Sequence, residues 1–109
     1  MNNKLEDFIL LKLGELIGEK KHRDENSLFS EVGFLYRDES SPLDGTIIYL
    51  IWKVGSEIDI VRTGPDNVNH IIATFYINEF EGFGRSLAVA IASVLNVKGF
   101  NKIMVDEGD

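Results

Sequence analysis

The sequence predicts an α+β fold: an N-terminal helix, a four-stranded antiparallel meander, a second helix packed on one sheet face and a short C-terminal strand. Three observations predict it. Residues 3–18 and about 84–95 set apolar side chains at three- and four-residue spacing, the period of a helix with one buried face. Between them lie four runs rich in Ile, Val, Tyr and Phe, at 29–37, 46–54, 57–63 and 70–78, separated by short polar segments. Connections that short join antiparallel neighbours rather than parallel ones. The length of 109 residues, 44% hydrophobic with two prolines, suits one core and one globular domain over residues 1–109.

In the first helix Asn3 is placed to cap, with Glu6 reaching back and Asp7 near the positive end. Leu5, Phe8, Ile9, Leu13, Leu16 and Ile17 form its apolar face. Gly18 reads as its stop, and Lys20, Lys21, His22 and Arg23 complement the carbonyl end. In the first strand Val32, Phe34 and Tyr36 alternate with Glu31, Gly33 and Leu35, and Gly33 weakens the strand or marks a bulge. The segment DESSPLDG at 38–45 is a polar turn presenting Asp38, Glu39 and Asp44. These three lack the spacing of an EF-hand loop, so no metal is expected there.

Residues 46–62 organise the chain as a hairpin. A two-residue turn at Gly55-Ser56 sets Val54 opposite Glu57, Trp52 opposite Asp59 and Leu50 opposite Val61. Lys53, Ile51 and Tyr49 then face Ile58, Ile60 and Arg62, and with Ile47 make the expected core face. The other face places Trp52 and Leu50 beside two carboxylates, a mixture suited to a contact surface. After the turn around Gly64-Pro65-Asp66-Asn67, the fourth strand is expected to turn Ile71, Ala73, Phe75 and Ile77 one way and Ile72, Thr74, Tyr76 and Asn78 the other. The second helix has Leu87, Ile91, Val94 and Leu95 as its stripe and Ala88, Ala90, Ala92 and Ser93 as slim positions. Gly99 breaks the chain, and residues 102–105 are expected to form the last strand. Two helices cover one face of such a sheet, leaving the other partly open with Trp52 on it.

Charge is distributed unevenly. The net charge is −7, and the stretch from Asp24 to Glu81 alone carries eleven acids against three bases. Such a field repels phosphate backbones and anionic membranes and speeds encounter with cations, unless it serves solubility alone. No apolar run approaches the ~20 residues that span a bilayer, and Glu6 and Asp7 precede the apolar residues with no small-residue cleavage site after them, unlike a secretory signal. The absence of cysteine removes disulfides, thiolate metal sites and a Cys nucleophile, and fits a reducing cytoplasm.

Little here suits catalysis. His22 sits among charges and His70 at a strand start, neither with a partner at metal spacing. Ser86 lies in Gly-Arg-Ser rather than a nucleophile elbow. Glu79 and Glu81, with Asp59 nearby, form a carboxylate pair of the glycosidase type, but the short chain offers no sugar cleft and an acidic rim is the expected role.

Residues 82–105, GFGRSLAVAIASVLNVKGFNKIMV, resemble the acyl-CoA-binding segment of GNAT-type N-acetyltransferases, in which a Gly-x-Gly turn opens a helix. The resemblance implies that Gly82, Gly84 and Arg85 hold a pyrophosphate at the helix N-terminus and that strand 70–78 contacts the acceptor. The longer basic form of the motif is missing, since Glu79, Phe80 and Glu81 precede Gly82. The alternative is a Gly-rich strand-to-helix joint pinned by Phe80 and Phe83.

The expected function is therefore non-enzymatic and without cofactor: binding and neutralising a basic protein partner, not nucleic acid or membrane. In size and charge the chain is similar to bacterial immunity proteins that block toxic nucleases. Asp38, Glu39, Asp44, Glu57, Asp59, Glu79 and Glu81 are the expected phosphate-mimicking contacts, with Trp52 and Tyr76 as desolvated anchors. The other readings are a reduced GNAT-like acyl-CoA-binding protein and a dimer of the secretion-chaperone type, its open sheet face buried against a second copy.

Overall fold

The computed structural model describes residues 3–22, 29–64 and 66–102. Helix α1 (Asn3–His22) leads to strands β1 (Phe29–Leu35), β2 (Ile47–Lys53), β3 (Glu57–Thr63) and β4 (Asn69–Tyr76), a 3-10 turn (Ile77–Phe80) and helix α2 (Arg85–Val97). The strands form one antiparallel sheet in the order β1-β2-β3-β4. The α+β architecture and the meander are as expected. Of the expected last strand, Lys102 lies in a bend and 103–105 fall outside the described residues.

Helix α1 runs past Gly18, which has no left-handed backbone to end it, and its described part begins at Asn3. Leu5, Ile9, Leu13 and Leu16 are buried as the spacing requires. Lys12 is buried with them, its ammonium 3.3 Å from Glu15 and 5.2 Å from the centre of the Phe8 ring. Helix α2 buries Leu87, Ala88, Ile91, Ala92 and Leu95. Its end is a Schellman motif: Gly99, at φ 96°, donates its N–H to Asn96 O, and Phe100 donates to Leu95 O. That turn sends the Phe100 ring back to the Tyr36 ring, 5.0 Å away.

Both helices contribute to the same core as Phe34, Ile48, Leu50, Ile58 and Ile60 of the sheet. The hairpin register decides this face, and it differs from the expected one by a residue. A three-residue loop, Val54 to Ser56, with Gly55 at φ 86°, joins β2 to β3, so Trp52 opposes Ile58, Leu50 opposes Ile60 and Ile51 opposes Asp59. A one-residue slip sends a strand's whole side-chain set to the other face. Trp52 and Leu50 therefore face the helices, whereas Ile47, Tyr49 and Ile51 do not.

Two further corrections concern the sheet. Gly33 marks no bulge, since β1 and β2 pair continuously. It clears space for Tyr49 opposite it, because a Cβ there would lie 2.7 Å from the Tyr49 ring. The bulge falls in β4. Ala73 opposes Ile60 and Ile71 opposes Val61, so Ile72 is the additional residue. It reverses the parity upstream, and Ile71 points away from the face that Ala73 and Phe75 occupy.

Candidate functional site

Neither helix covers the second sheet face, and the register places its residues in four rows. Nearest the β2–β3 loop are Phe29, Lys53, Glu57 and Tyr76; next come Glu31, Ile51, Asp59 and Thr74. The third row is Gly33, Tyr49, Val61 and Ile71, and the last is Leu35, Ile47, Thr63 and Asn69. The acids are confined to the first two rows, where Phe29, Tyr76 and Ile51 stand among them, and the other two rows carry no charge. Ile71 is 65% exposed, Tyr76 46% and Phe29 42%, large apolar surfaces for positions within a sheet.

The acidic rows hold a tight cluster. Asp59, although on the bare face, is buried between its cross-strand neighbours Ile51 and Thr74. Its carboxylate accepts a hydrogen bond from Thr74 Oγ1 at 3.0 Å and lies 3.0 Å from Lys53 Nζ. Burial acts to raise the Asp59 carboxyl, but hydrogen bonds from Lys53, Glu57 and Thr74 outweigh it and hold the group below its ordinary value. Glu57 is displaced the other way: hydrogen bonding to Asp59 and the Asp59 charge raise it. Lys53 lies 3.9 Å from Glu57 as well, so one ammonium serves two carboxylates and leaves the cluster net negative.

The expected contact residues do not all converge. Glu57, Asp59 and Tyr76 share the first two rows, and exposed Glu79 and Glu81 follow β4 at the same sheet end. Asp38, Glu39 and Asp44 occupy the β1–β2 loop at the opposite end, seven residues away along the strands, a separation of about 20 Å. Two of them are structural. Asp38 accepts hydrogen bonds from the Ser40 backbone and hydroxyl, and Asp44 accepts one from the Asp38 N–H at 2.7 Å. The Ser40 hydroxyl chiefly holds the Asp38 carboxyl below its ordinary value. Glu39 is exposed at the tip.

Trp52 lies on the helix side, not on the bare face. Its ring meets Phe83 edge-on at 4.7 Å, and Nε1 donates to Gly55 O at 2.9 Å. Phe80 packs likewise against Phe75 at 5.7 Å, so the Gly-rich joint is pinned by both phenylalanines. At that joint Arg85 is paired with Asp7 at 2.6 Å, and Glu79 and Glu81 are exposed beside it, an unfavourable setting for a pyrophosphate.

The residues missed by the sequence reading are Glu31, Phe29, Tyr49 and Ile71, which complete the bare face. Strand alternation could have found Glu31 and Tyr49; the bulge that exposes Ile71 leaves no mark in the sequence. Among the described residues no group of three or more His, Asp or Glu could hold a metal ion, and no helix is long and apolar enough to cross a membrane. No family model, curated protein or solved structure matches the chain.

Proposed function

We propose that this protein is a non-enzymatic, cytoplasmic binding protein of the bacterial immunity-protein or antitoxin kind, which takes up a basic protein partner on its bare sheet face and neutralises it. The observation that carries this reading is the sheet face that neither helix covers, on which exposed apolar side chains stand among and beside acidic ones. Exposed Ile71, Tyr76 and Phe29 supply area to desolvate, and anchors of this type dominate interface energies. Glu31, Glu57, Glu79 and Glu81 supply charge toward Lys and Arg of the partner, chiefly in encounter rate and orientation. Buried Asp59 acts by holding Lys53, rather than by direct contact. A toxic nuclease has the required chemistry, since its substrate is a polyanion and its active site is cationic.

The test is capture of partners on the immobilised chain from a bacterial lysate, washed at low and then high salt, followed by assay of the recovered protein. A basic protein retained at low salt, weakened at high salt and silenced as a nuclease or other toxin when bound supports the reading. Recovery of acidic proteins, or of further copies of this chain alone, refutes it.

A further inference from the structure

At the opposite end of the sheet, a cleft of about 380 Å³ is lined by Arg62, His70 and Lys98 with Leu43, Ile71, Ile72 and Phe100 as its walls. From these we infer a second site, which shares only Ile71 with the bare face, that binds a carboxylate carried on a small apolar group. Three basic side chains gathered in one concavity are unexpected in a chain of net charge −7.

The fold assembles this site from four segments. Arg62 comes from β3, His70 from β4, Lys98 from the end of α2 and Leu43 from the β1–β2 loop. The bulge at Ile72 is decisive. With unbroken pairing from Ala73 opposite Ile60, His70 would oppose Thr63 on the bare face; the additional residue sets it opposite Arg62 on the helix side. Bulges re-aim side chains in this way. The Schellman turn after α2 then places exposed Lys98 and buried Phe100 at the same cleft.

Arg62 and His70 are held in place rather than swinging. Arg62 donates one N–H to Gly64 O, which fixes a planar fork that retains donors for a carboxylate. His70 Nε2 lies 3.1 Å from Asp66 Oδ2, which orients the ring, and in the imidazolium form Nδ1 is a second donor for a carboxylate. Asp66, also 4.0 Å from Arg62, is the internal anion whose charge opposes an incoming carboxylate. The apolar walls favour an acid with an apolar body over a bare inorganic anion, and the cleft volume limits that body to a small group.

The test is a titration of the 109-residue chain followed through its backbone amide resonances, with hexanoate, N-acetyl-leucine and inorganic phosphate as separate probes. Hexanoate or N-acetyl-leucine is expected to shift His70, Ile72, Lys98 and Phe100 saturably, with Kd on the order of 1 mM. Preference for N-acetyl-leucine marks the carboxyl terminus of a peptide as the source, and preference for hexanoate a free acid. Lys98→Glu is expected to weaken binding about tenfold by replacing a cation with an anion. Asp66→Asn, which keeps an oxygen for the Val68 N–H, is expected to tighten it severalfold. Absence of saturable shifts, phosphate binding as tightly as either acid, or indifference to both substitutions overturns the inference.

Discussion

Trp52→Ala distinguishes a core side chain from an interface anchor, and its cost follows from the contacts made. Trp52 is partly buried against the helix side, with an edge-on ring contact to Phe83 at 4.7 Å and an Nε1 hydrogen bond to Gly55 O at 2.9 Å. Removing a buried apolar side chain of this size costs about 2 kcal/mol after allowance for its partial exposure. The aromatic pair adds about 0.5 kcal/mol and the hydrogen bond about 0.5 kcal/mol, giving roughly 3 kcal/mol. With a urea slope of about 1.5 kcal/mol/M, the unfolding midpoint followed by circular dichroism should fall by about 2 M. Trp52→Phe keeps a ring against Phe83 and should cost about 1 kcal/mol. Because this is the chain's one tryptophan, Phe83→Ala should shift its fluorescence to longer wavelength. An unchanged midpoint for Trp52→Ala would refute the packing argument and return Trp52 to the surface.

Three other perturbations follow from the sheet. Gly33→Ala should destabilise by about 1 kcal/mol because the new Cβ meets the Tyr49 ring, and in a Tyr49→Ala background this penalty should vanish, a coupling read by a double-mutant cycle in urea. Asp59 is depressed in the fold, so its contribution is present above the ordinary value of 3.8 and is lost as pH falls through the folded value. Acid unfolding followed from pH 6 downward should thus be shallower for Asp59→Asn than for the parent chain. Glu57 is raised, so its folded form favours the proton; its stabilisation is full below 4.5 and fades as pH rises through the folded value. Glu57→Gln should accordingly raise the urea midpoint at pH 7, and a fall there would contradict the assigned sign.

Much of the fold is legible because its signals are local. The spacing of Leu5, Ile9, Leu13 and Leu16 specifies the buried face of α1, and the polar breaks at 38–45 and 64–68 delimit the strands. The hairpin register is not legible in the same way. In β2 the run Ile47-Ile48-Tyr49-Leu50-Ile51-Trp52 is apolar on both parities, so either face satisfies the pattern, and only the loop length chooses. The bulge at Ile72 is equally silent, since it lies in Ile71-Ile72, two identical side chains. The candidate site divides along the same line. Charge localisation marked the acidic region, but whether its carboxylates converge depends on three dimensions: Glu57, Glu79 and Glu81 share a sheet end, while Asp38 and Asp44 bind their own loop.

The central claim is that the bare sheet face receives the basic partner. The most direct measurement captures that partner on three immobilised chains: the parent, a Phe29→Asp/Tyr76→Asp variant on the bare face, and a Val97→Asp variant on α2, where the side chain is 81% exposed. All three should share the parent's circular dichroism spectrum, because each altered position is exposed. The account predicts that the parent and the Val97→Asp chain retain the same basic protein at low salt and that the bare-face variant loses it. Equal retention on all three chains, or loss with Val97→Asp alone, would contradict it.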